Sequence, residues 1–290
     1  MTSSEEAIVA AATAPAADRY GVIGNPISHS KSPAIHAAFA QQTGESIRYD
    51  RIFAELIAFD ETVFEFIREN GRGLNVTVPF KLDAFRLATT LTLRAESAGA
   101  VNTLKFDGDE ILGDNTDGAG LVRDLKHNLG CDPGGRRILL LGAGGAARGV
   151  ILPLLLENPT ELLIANRTEE AAARLALEFA RLPGCAVDVK PDGTGFPGLA
   201  GRSFDLVINA TSAGLAGAAL PLPPGIFASR CIAYEMVYGR ETPFMALARE
   251  SGARVADGLG MLVEQAAEAF FVWRGVRPHT APVLAALKGN

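Results

Sequence analysis

The sequence has little cysteine, little tryptophan and no excess of basic charge. Its three cysteines, Cys131, Cys185 and Cys231, stand far apart and form no CxxC pair, so neither a zinc site nor a redox dithiol is predicted. A net charge of −6 provides no basic field for a phosphate backbone, which argues against a nucleic-acid partner. No apolar run approaches the length that spans a bilayer, so no membrane association is expected.

What is present is an ordinary globular composition, with 48% hydrophobic and 21% charged residues. A length of 290 residues suits two modest domains. Sparse cysteines fit a reducing compartment, and we expect a cytoplasmic protein. The first 18 residues are rich in Ala, Ser and Thr, but their leading charges are Glu5 and Glu6, where a secretory signal has basic residues. We therefore expect a loose N-terminal extension there.

Short apolar runs alternate with helical patterns, which predicts an α/β protein with parallel sheets. The predicted strands are 20–24, 46–53, 73–78, 101–106, 110–112, 137–141, 161–165, 204–209, 232–235 and 254–255. One predicted helix begins with Ser32 as its N-cap. The other predicted helices cover 59–69, 148–156, 168–181, 243–251 and 261–274. Pro153 is expected to kink its helix or shift the first turns, and 194–225 is expected to be mostly loop outside its strand.

A glycine-rich turn joins the strand 137–141 to the helix that follows it. This turn contains Gly142, Ala143, Gly144, Gly145 and Ala146. Glycines there let the backbone approach a pyrophosphate, and the free N–H groups of the helix start favour an anion. Glycine in such a turn also serves packing alone, but its placement between strand and helix matches the dinucleotide-binding fingerprint, with Ala147 in the third glycine position.

The next strand ends in Asn166-Arg167-Thr168, which indicates NADP as the cofactor. NAD-binding chains place a carboxylate there for the ribose 2′-hydroxyl, whereas Arg167 can pair with a 2′-phosphate. Glu169 and Glu170 follow directly and would weaken that binding, although acids in a first turn also favour the helix dipole. The alternative is that Arg167 is simply a solvated residue at a helix start. NADP is favoured, and the strength of its preference over NAD stays open.

Three polar strings stand at the ends of predicted strands in the first half of the chain, namely GNPISHSKSP, NVTVPFK and GDNTDG. Ligand sites of α/β proteins form at such strand ends. Ser32, Asn115 and Asp117 could instead be turn and cap residues, but three such strings beside a dinucleotide fold favour a binding site. His29, His36, His127 and His279 have no spacing for a metal, and no metal site is predicted. Trp273, Phe270 and Phe271 are expected to pack their helix.

Taken together, these strings resemble the shikimate dehydrogenase family. AGAVNTL, GAGGAARG, NRT, INATSAG, YEMVYG, TPF and DGLGMLVEQAAEAF belong to the same resemblance, which runs from about residue 20 to 274. It implies an NADP-dependent oxidoreductase that reduces 3-dehydroshikimate to shikimate in the chorismate pathway of aromatic amino acid biosynthesis. It also implies a small-molecule partner; the oligomeric state is left open, with a homodimer as one expectation.

The resemblance implies a role for individual residues. Lys81 and Asp117 would be the catalytic acid–base pair. Ser30 and Ser32 would hold the substrate carboxylate, and the remaining substrate contacts would come from Asn75, Thr77, Asn102, Tyr238 and Gln265. Met236 and Gly258 would lie near the nicotinamide. Chemistry supports the pair independently, because ketone reduction needs a proton donor at the carbonyl oxygen, although a Lys–Asp pair could also be an ordinary ion pair.

The family fold has two α/β domains with a cofactor cleft between them. The substrate-binding domain would be residues 1–117 completed by 258–290, and the Rossmann-type NADP-binding domain 118–257. The crossings at 118–129 and near Gly258 would be hinges for domain closure, which would exclude water during hydride transfer.

Several alternatives stay open. Within the class they are a quinate or shikimate dehydrogenase that prefers NAD, and a relative acting on an amino analogue. From other classes they are a non-catalytic nucleotide sensor, expected to lose Lys81 or Asp117, and a folate-type methylene dehydrogenase, which the polar strings suit less well than a polyol acid.

Overall fold

The computed structural model describes residues 17–182, 189–214 and 217–289. The N-terminal extension expected over the first 18 residues therefore lies almost wholly outside the described residues, as does Cys185. Within the described residues the chain forms two six-stranded sheets, one after the other in sequence. This confirms the predicted α/β class.

The first sheet is mixed. Its strands are β1 (Asp18–Gly24), β2 (Ile47–Phe53), β3 (Gly71–Val76), β4 (Thr90–Leu91), β5 (Thr103–Asp107) and β6 (Glu110–Asp114). They are ordered β2-β1-β3-β5-β6-β4, with β5 antiparallel to β3 and β6. The helices between them are α1 (Ser32–Thr43), α2 (Phe59–Arg68), α3 (Lys81–Leu87) and α4 (Leu93–Ala98). The predicted hairpin is the β5–β6 pair.

The second sheet is parallel throughout. Its strands are β7 (Arg137–Leu141), β8 (Glu161–Asn166), β9 (Asp192–Gly195), β10 (Phe204–Asn209), β11 (Phe227–Glu235) and β12 (Arg254–Asp257), and its helices are α6 (Gly145–Leu156), α7 (Glu169–Ala180) and α8 (Pro243–Glu250). The order β12-β11-β10-β7-β8-β9 is that of a dinucleotide-binding sheet, with strand order reversing beside β7.

The apolar run of β7 explains why this sheet is covered on both faces. Ile138 and Leu140 belong to one hydrophobic cluster, and Leu139 and Leu141 to another, and all four are fully buried. A strand whose neighbouring residues are all apolar must bury both of its faces, as parallel strands between two helical layers do. The sequence pattern of this strand therefore fixes the layering of the second half of the chain.

Two stretches of chain connect the sheets. The first is α5 (Asp117–Arg123), continued by a π-helical turn at Asp124–Asn128, and the second leads through Gly258 into α9 (Leu259–Arg274). The Tyr234 hydroxyl donates to Asp124 Oδ2 over 2.6 Å and accepts from the Met261 backbone N–H over 3.3 Å. Burial raises the pKa of the Asp124 carboxyl. The Tyr234 side chain thus joins both connecting stretches to β11. The role of these stretches as hinges stays a prediction.

After its crossing, α9 packs on the first sheet and is followed by α10 (Thr280–Lys288). Trp273 and Phe270 are buried as predicted, and Trp273 Nε1 donates to the Leu104 carbonyl over 2.9 Å. The packing prediction for Phe271 is wrong, because its ring is 41% exposed with the Arg277 guanidinium lying over it.

Other local predictions need correction. The N-cap of α1 is Lys31, not Ser32, which is the first helical residue. The helix after the glycine-rich turn begins at Gly145, three residues earlier than predicted, and continues through Pro153. Short elements were missed, namely α3, α4, α10, β4, β9 and two 3₁₀ turns at Phe196–Leu199 and Ser212–Gly214. Elements of two to nine residues contain too few turns or alternations to show a period.

Gly260 offers a test of how tightly the second crossing is packed. A Cβ atom at this position would lie 1.9 Å from Asp124 Oδ1 and 2.2 Å from Asp124 Cγ. Gly260→Ala is therefore expected to lower the free energy of unfolding by about 1–3 kcal/mol, as overpacking does. Urea denaturation measures it, with Gly289→Ala as control, because there the nearest atom is 3.7 Å away. Equal stability of both variants would contradict the packing described.

Candidate active site

The two residues of the predicted acid–base pair meet at the edge of the first sheet. Lys81 is the first residue of α3, which follows β3, and Asp117 is the first residue of α5, which follows β6. Lys81 Nζ donates to Asp117 Oδ2 over 2.5 Å. The Asp117 side chain is 12% exposed and that of Lys81 is 27% exposed, so the pair is sheltered but open to a ligand on one side.

Asn102 holds the carboxylate of this pair from the other side. Its Nδ2 donates to Asp117 Oδ1 over 2.8 Å. Its Oδ1 accepts from the Thr116 backbone N–H over 2.8 Å and from the Thr103 hydroxyl over 3.0 Å. The amide orientation of Asn102 is therefore fixed, and both carboxylate oxygens of Asp117 have a donor.

Two more of the predicted substrate residues join the same network. Asn75 Nδ2 donates to Thr103 Oγ1 over 3.1 Å. The Thr116 hydroxyl lies 3.4 Å from Gln265 Oε1, which brings a side chain of α9 to the first sheet's edge. The chain thus assembles the site from β3, β5, α5 and α9, elements far apart in sequence.

The serine string lies in the loop before α1. Ser30 Oγ accepts from the Ser32 backbone N–H over 3.3 Å. Arg51 donates to the Ser30 carbonyl through two guanidinium nitrogens, at 3.1 and 2.6 Å, which fixes the loop against β2. Ser32 is buried, whereas Ser28 and His29 are exposed, which agrees with the turn or surface role considered for His29.

The glycine-rich turn has the form of an anion cradle. Gly142 has φ +110°, a backbone conformation that favours glycine, and a Cβ there would meet the Ala210 carbonyl at 3.1 Å. Gly144 and Gly145 have open space where side chains would be. The first four N–H groups of an α-helix lack a partner within it, so the exposed start of α6 offers donors to a phosphate. The turn therefore fits a pyrophosphate.

The residues predicted to recognise the ribose phosphate follow β8. Asn166 Nδ2 donates to the Thr168 carbonyl over 3.0 Å, which closes the turn. Arg167 is exposed, and in the part of the chain that the structure describes its side chain has no hydrogen bond or ion pair. Its guanidinium is available to a 2′-phosphate. Glu169 and Glu170 are exposed beside it, so the competing charge considered from the sequence is present.

Met236 and Gly258, predicted to lie near the nicotinamide, are in contact. A Cβ at Gly258 would lie 2.2 Å from the Met236 carbonyl oxygen. The buried Glu235 carboxylate holds the start of this segment, since it accepts from Asn209 Nδ2 over 2.7 Å and from the Val237 N–H over 3.2 Å. Burial raises the pKa of Glu235.

Two predicted substrate residues do not join the hydrogen-bonded network. Thr77 follows β3 and bonds through its backbone to Ile23, and Tyr238 lies half-buried after β11, where burial raises its pKa. Within the described ranges neither side chain has a hydrogen bond to the Lys81–Asp117 pair. Their substrate roles stay predictions.

Family models match most of the chain. Residues 22–104 match a shikimate dehydrogenase substrate binding domain, 125–214 a shikimate / quinate 5-dehydrogenase, and 258–288 a shikimate 5′-dehydrogenase C-terminal domain. A shikimate dehydrogenase (NADP(+)) of Dechloromonas aromatica is 63% identical over 276 residues, covering 94% of this chain and 98% of that protein.

This chain belongs to the shikimate dehydrogenase family. Among solved structures, an Ael1 enzyme from Pseudomonas putida is 48% identical with a TM-score of 0.87, covering 93% of this chain and 98% of that one. The shikimate 5-dehydrogenase of Thermus thermophilus, solved in complex with NADP(H) and shikimate, is 33% identical with a TM-score of 0.81 over the same shares of the two chains. The predicted family and fold are confirmed.

Three residues of this hydrogen-bonded network were not predicted from the sequence, namely Thr103, Thr116 and Tyr49. Thr103 and Thr116 stand next to Asn102 and Asp117 in the AGAVNTL and GDNTDG strings, so their neighbours were a usable signal. Tyr49 lies in the middle of β2 and donates to Asn75 Oδ1 over 2.7 Å. Strand alternation alone does not show which residue a side chain will contact across a sheet.

Other kinds of site find no support in the described ranges. There, no group of three or more His, Cys, Asp or Glu side chains is arranged to hold a metal ion. No helix of the described residues has the length and apolar character that a membrane span needs.

His36, one turn after Ser32 on α1, supplies a pH test of the site's packing. Burial lowers the pKa of His36 to about 3, from an ordinary value of 6.5. Between those two pH values the unfolded chain binds a proton at this residue and the folded chain does not. Titration of His36 therefore lowers the free energy of unfolding as pH falls from 6.5 towards 3, by about 1.4 kcal/mol per pH unit.

We expect His36→Phe, which keeps a ring and removes the titration, to lose less stability than the unaltered protein between pH 6.5 and 4.5. Thermal denaturation across that range measures the difference. His127→Gln, at an exposed histidine, should follow the unaltered protein. Parallel pH profiles for His36→Phe and the unaltered protein would contradict the buried, neutral state of His36.

Proposed function

We propose that this protein is an NADP-dependent shikimate dehydrogenase, which reversibly reduces 3-dehydroshikimate to shikimate with NADPH in the biosynthesis of chorismate and the aromatic amino acids. The observation that carries the proposal is the Lys81–Asp117 pair at the edge of the first sheet, in a chain 63% identical to a shikimate dehydrogenase (NADP(+)). Retention of both residues sets the protein apart from a nucleotide sensor that has lost its chemistry.

Lys81 acts as the proton donor in this mechanism. NADPH, when bound, supplies the hydride. The Lys81 ammonium gives a proton to the carbonyl oxygen as negative charge develops there, and it takes the proton back in the reverse reaction. Asp117 holds the ammonium by its 2.5 Å hydrogen bond and, through Asn102, is itself held in place. The side chain that moves the proton therefore needs no reorganisation during the step.

The polar residues around the pair suit a small polyol acid. Ser30 and Ser32 bind the carboxylate, and the hydroxyls are bound by residues whose side chains both donate and accept, namely Asn75, Thr77, Asn102, Tyr238 and Gln265. A substrate that lacks one of these hydroxyls leaves a sheltered polar group without a partner, which costs binding energy. Such a site selects by hydrogen-bond complementarity.

The start of α6 is where the cofactor would bind. The backbone of Gly142, Ala143, Gly144, Gly145 and Ala146 would hold the pyrophosphate, the turn of Asn166, Arg167 and Thr168 would receive the 2′-phosphate, and Met236 with Gly258 would lie beside the nicotinamide. Arg167 supports this assignment, because it is exposed and its side chain has no hydrogen bond or ion pair to any residue that the structure describes.

The same proposal covers the organisation of the chain. Residues 1–117, completed by 258–290, form the substrate-binding domain, and 118–257 form the NADP-binding domain; the division of strands between the two sheets supports these limits. A cytoplasmic location and a homodimer remain predictions from the sequence. Cell fractionation tests the location, and sedimentation tests the oligomeric state.

Lys81→Ala tests the chemistry. Loss of the proton donor is expected to lower kcat for shikimate oxidation by roughly 10²–10⁴-fold, while NADP binding, followed by fluorescence titration, stays within about twofold. Lys126→Ala is the matched control, because it breaks an ion pair with Glu157 and is expected to keep full activity. Near-normal turnover of Lys81→Ala would remove Lys81 from the mechanism.

Arg167→Ala tests the choice of cofactor. Loss of a charge-assisted contact to the 2′-phosphate should raise KM for NADP by roughly tenfold or more and leave KM for NAD unchanged. Arg181→Ala, at another exposed arginine, controls for net charge. The double substitution of Glu169→Gln and Glu170→Gln should lower KM for NADP. If Arg167→Ala raised both KM values equally, the residue would not recognise the phosphate.

A further inference from the structure

Tyr49 of β2 contacts one of the residues proposed to bind the substrate. Its hydroxyl donates to Asn75 Oδ1 over 2.7 Å. Ser32 is proposed to hold the carboxylate, and Asn75 a hydroxyl. Burial raises the pKa of Tyr49 well above its ordinary value, so its phenol stays a neutral O–H group.

The ring of Tyr49 is held by His36. The two rings stack with centroids 4.2 Å apart and an interplanar angle of 8°. His36 is fully buried, and neither of its ring nitrogens has a hydrogen-bond partner of good geometry within the described residues. The Trp273 ring packs beside both, with its centroid 5.3 Å from that of His36 and 6.3 Å from that of Tyr49. His36 therefore acts on Tyr49 as a flat, uncharged surface.

The helix α1 connects the stack of His36 on Tyr49 to the serine loop. His36 follows Ser32 by four residues, which places both on one face of the helix. A shift of α1 would move the Ser32 hydroxyl and the His36 ring together. The direction of the Tyr49 hydroxyl is thereby coupled to the position of the serine that is proposed to hold the carboxylate.

Asn75 has little hydrogen-bonding capacity left for reorientation. Its Nδ2 donates to Thr103 Oγ1 over 3.1 Å and lies 3.4 Å from the Asn102 carbonyl, while Oδ1 accepts from Tyr49. Side-chain amides have two donors and two acceptor positions, so one acceptor position on Oδ1 remains. The hydrogen bond from the Tyr49 hydroxyl sets the direction of this remaining acceptor position.

We propose that Tyr49 is a positioning residue for the substrate, whose hydroxyl, fixed by the His36 stack, holds Asn75 relative to Ser32 of α1 and so sets the spacing between the carboxylate-binding and hydroxyl-binding groups. The inference rests on the proposed function and deepens it. It continues the network from the catalytic pair through Asn102, Thr103 and Asn75 to the far end of the substrate site.

Tyr49→Phe is the direct test, because it keeps the ring stack and removes only the hydroxyl. We expect KM for shikimate to rise by roughly tenfold, the effect of one lost hydrogen bond, with KM for NADP within about twofold. Tyr20→Phe is the matched control. Tyr20 is the register partner of Tyr49 on β1 and also stacks on a ring, that of Trp273, but its hydroxyl faces Arg274. It should change neither KM.

A double-mutant cycle separates positioning from mere packing. If Tyr49 acts through Asn75, then Tyr49→Phe in an Asn75→Ala background should raise KM for shikimate by less than about twofold further. Additive effects in the cycle would overturn a role through Asn75. So would an unchanged KM for shikimate, an equal rise in both KM values, or a Tyr49→Phe chain that does not fold while Tyr20→Phe does.

Rates of the unaltered protein show whether the proposed function fails or only the role of Tyr49. If it oxidises no shikimate, the proposed function fails. If it oxidises shikimate and Tyr49→Phe has the same KM for it, only the role of Tyr49 fails.

Discussion

The site depends on the hydrogen bonds that Asn102 makes to its neighbours. This buried amide donates to Asp117 and accepts from Thr116 and Thr103, so it sets the position of the carboxylate that in turn holds Lys81. A hydrogen bond to a charged group contributes about 1.5–3 kcal/mol, more than a neutral one, and a sheltered carboxylate without donors would be costly. The position of the Lys81 ammonium therefore depends on an uncharged residue.

The fold brings these residues together because strands of the first sheet end at one edge and the chain then returns from the second sheet. β3 and β6 lead into α3 and α5, which begin with Lys81 and Asp117. The return crossing brings Gln265 of α9 beside Thr116, and the Asp124–Tyr234 hydrogen bond joins the first crossing to β11. The two connecting stretches thus join the sheet that carries the glycine-rich turn to the sheet that carries Lys81 and Asp117.

Much of this could be predicted from the sequence, for identifiable reasons. The apolar run of β7 and the glycines after it predict a buried parallel strand and a tight turn into a helix, and both are present. The long polar strings predict the family, and through it the pair of Lys81 and Asp117. Short helices such as α3 and α4 were missed because six or seven residues hold no clear period. Tyr49 was missed because its partners come from β3 and α1, and local pattern does not specify contacts across a sheet.

The most direct test of the central claim is a set of initial rates at 340 nm for shikimate and quinate, each with NADP and with NAD. We expect a large preference for shikimate with NADP, since the exposed Arg167 can pair with the 2′-phosphate and the polar groups suit a polyol acid. Preferential turnover of quinate, or a preference for NAD, would contradict the assigned specificity. No oxidation of either substrate would contradict the proposed activity and leave only the family fold.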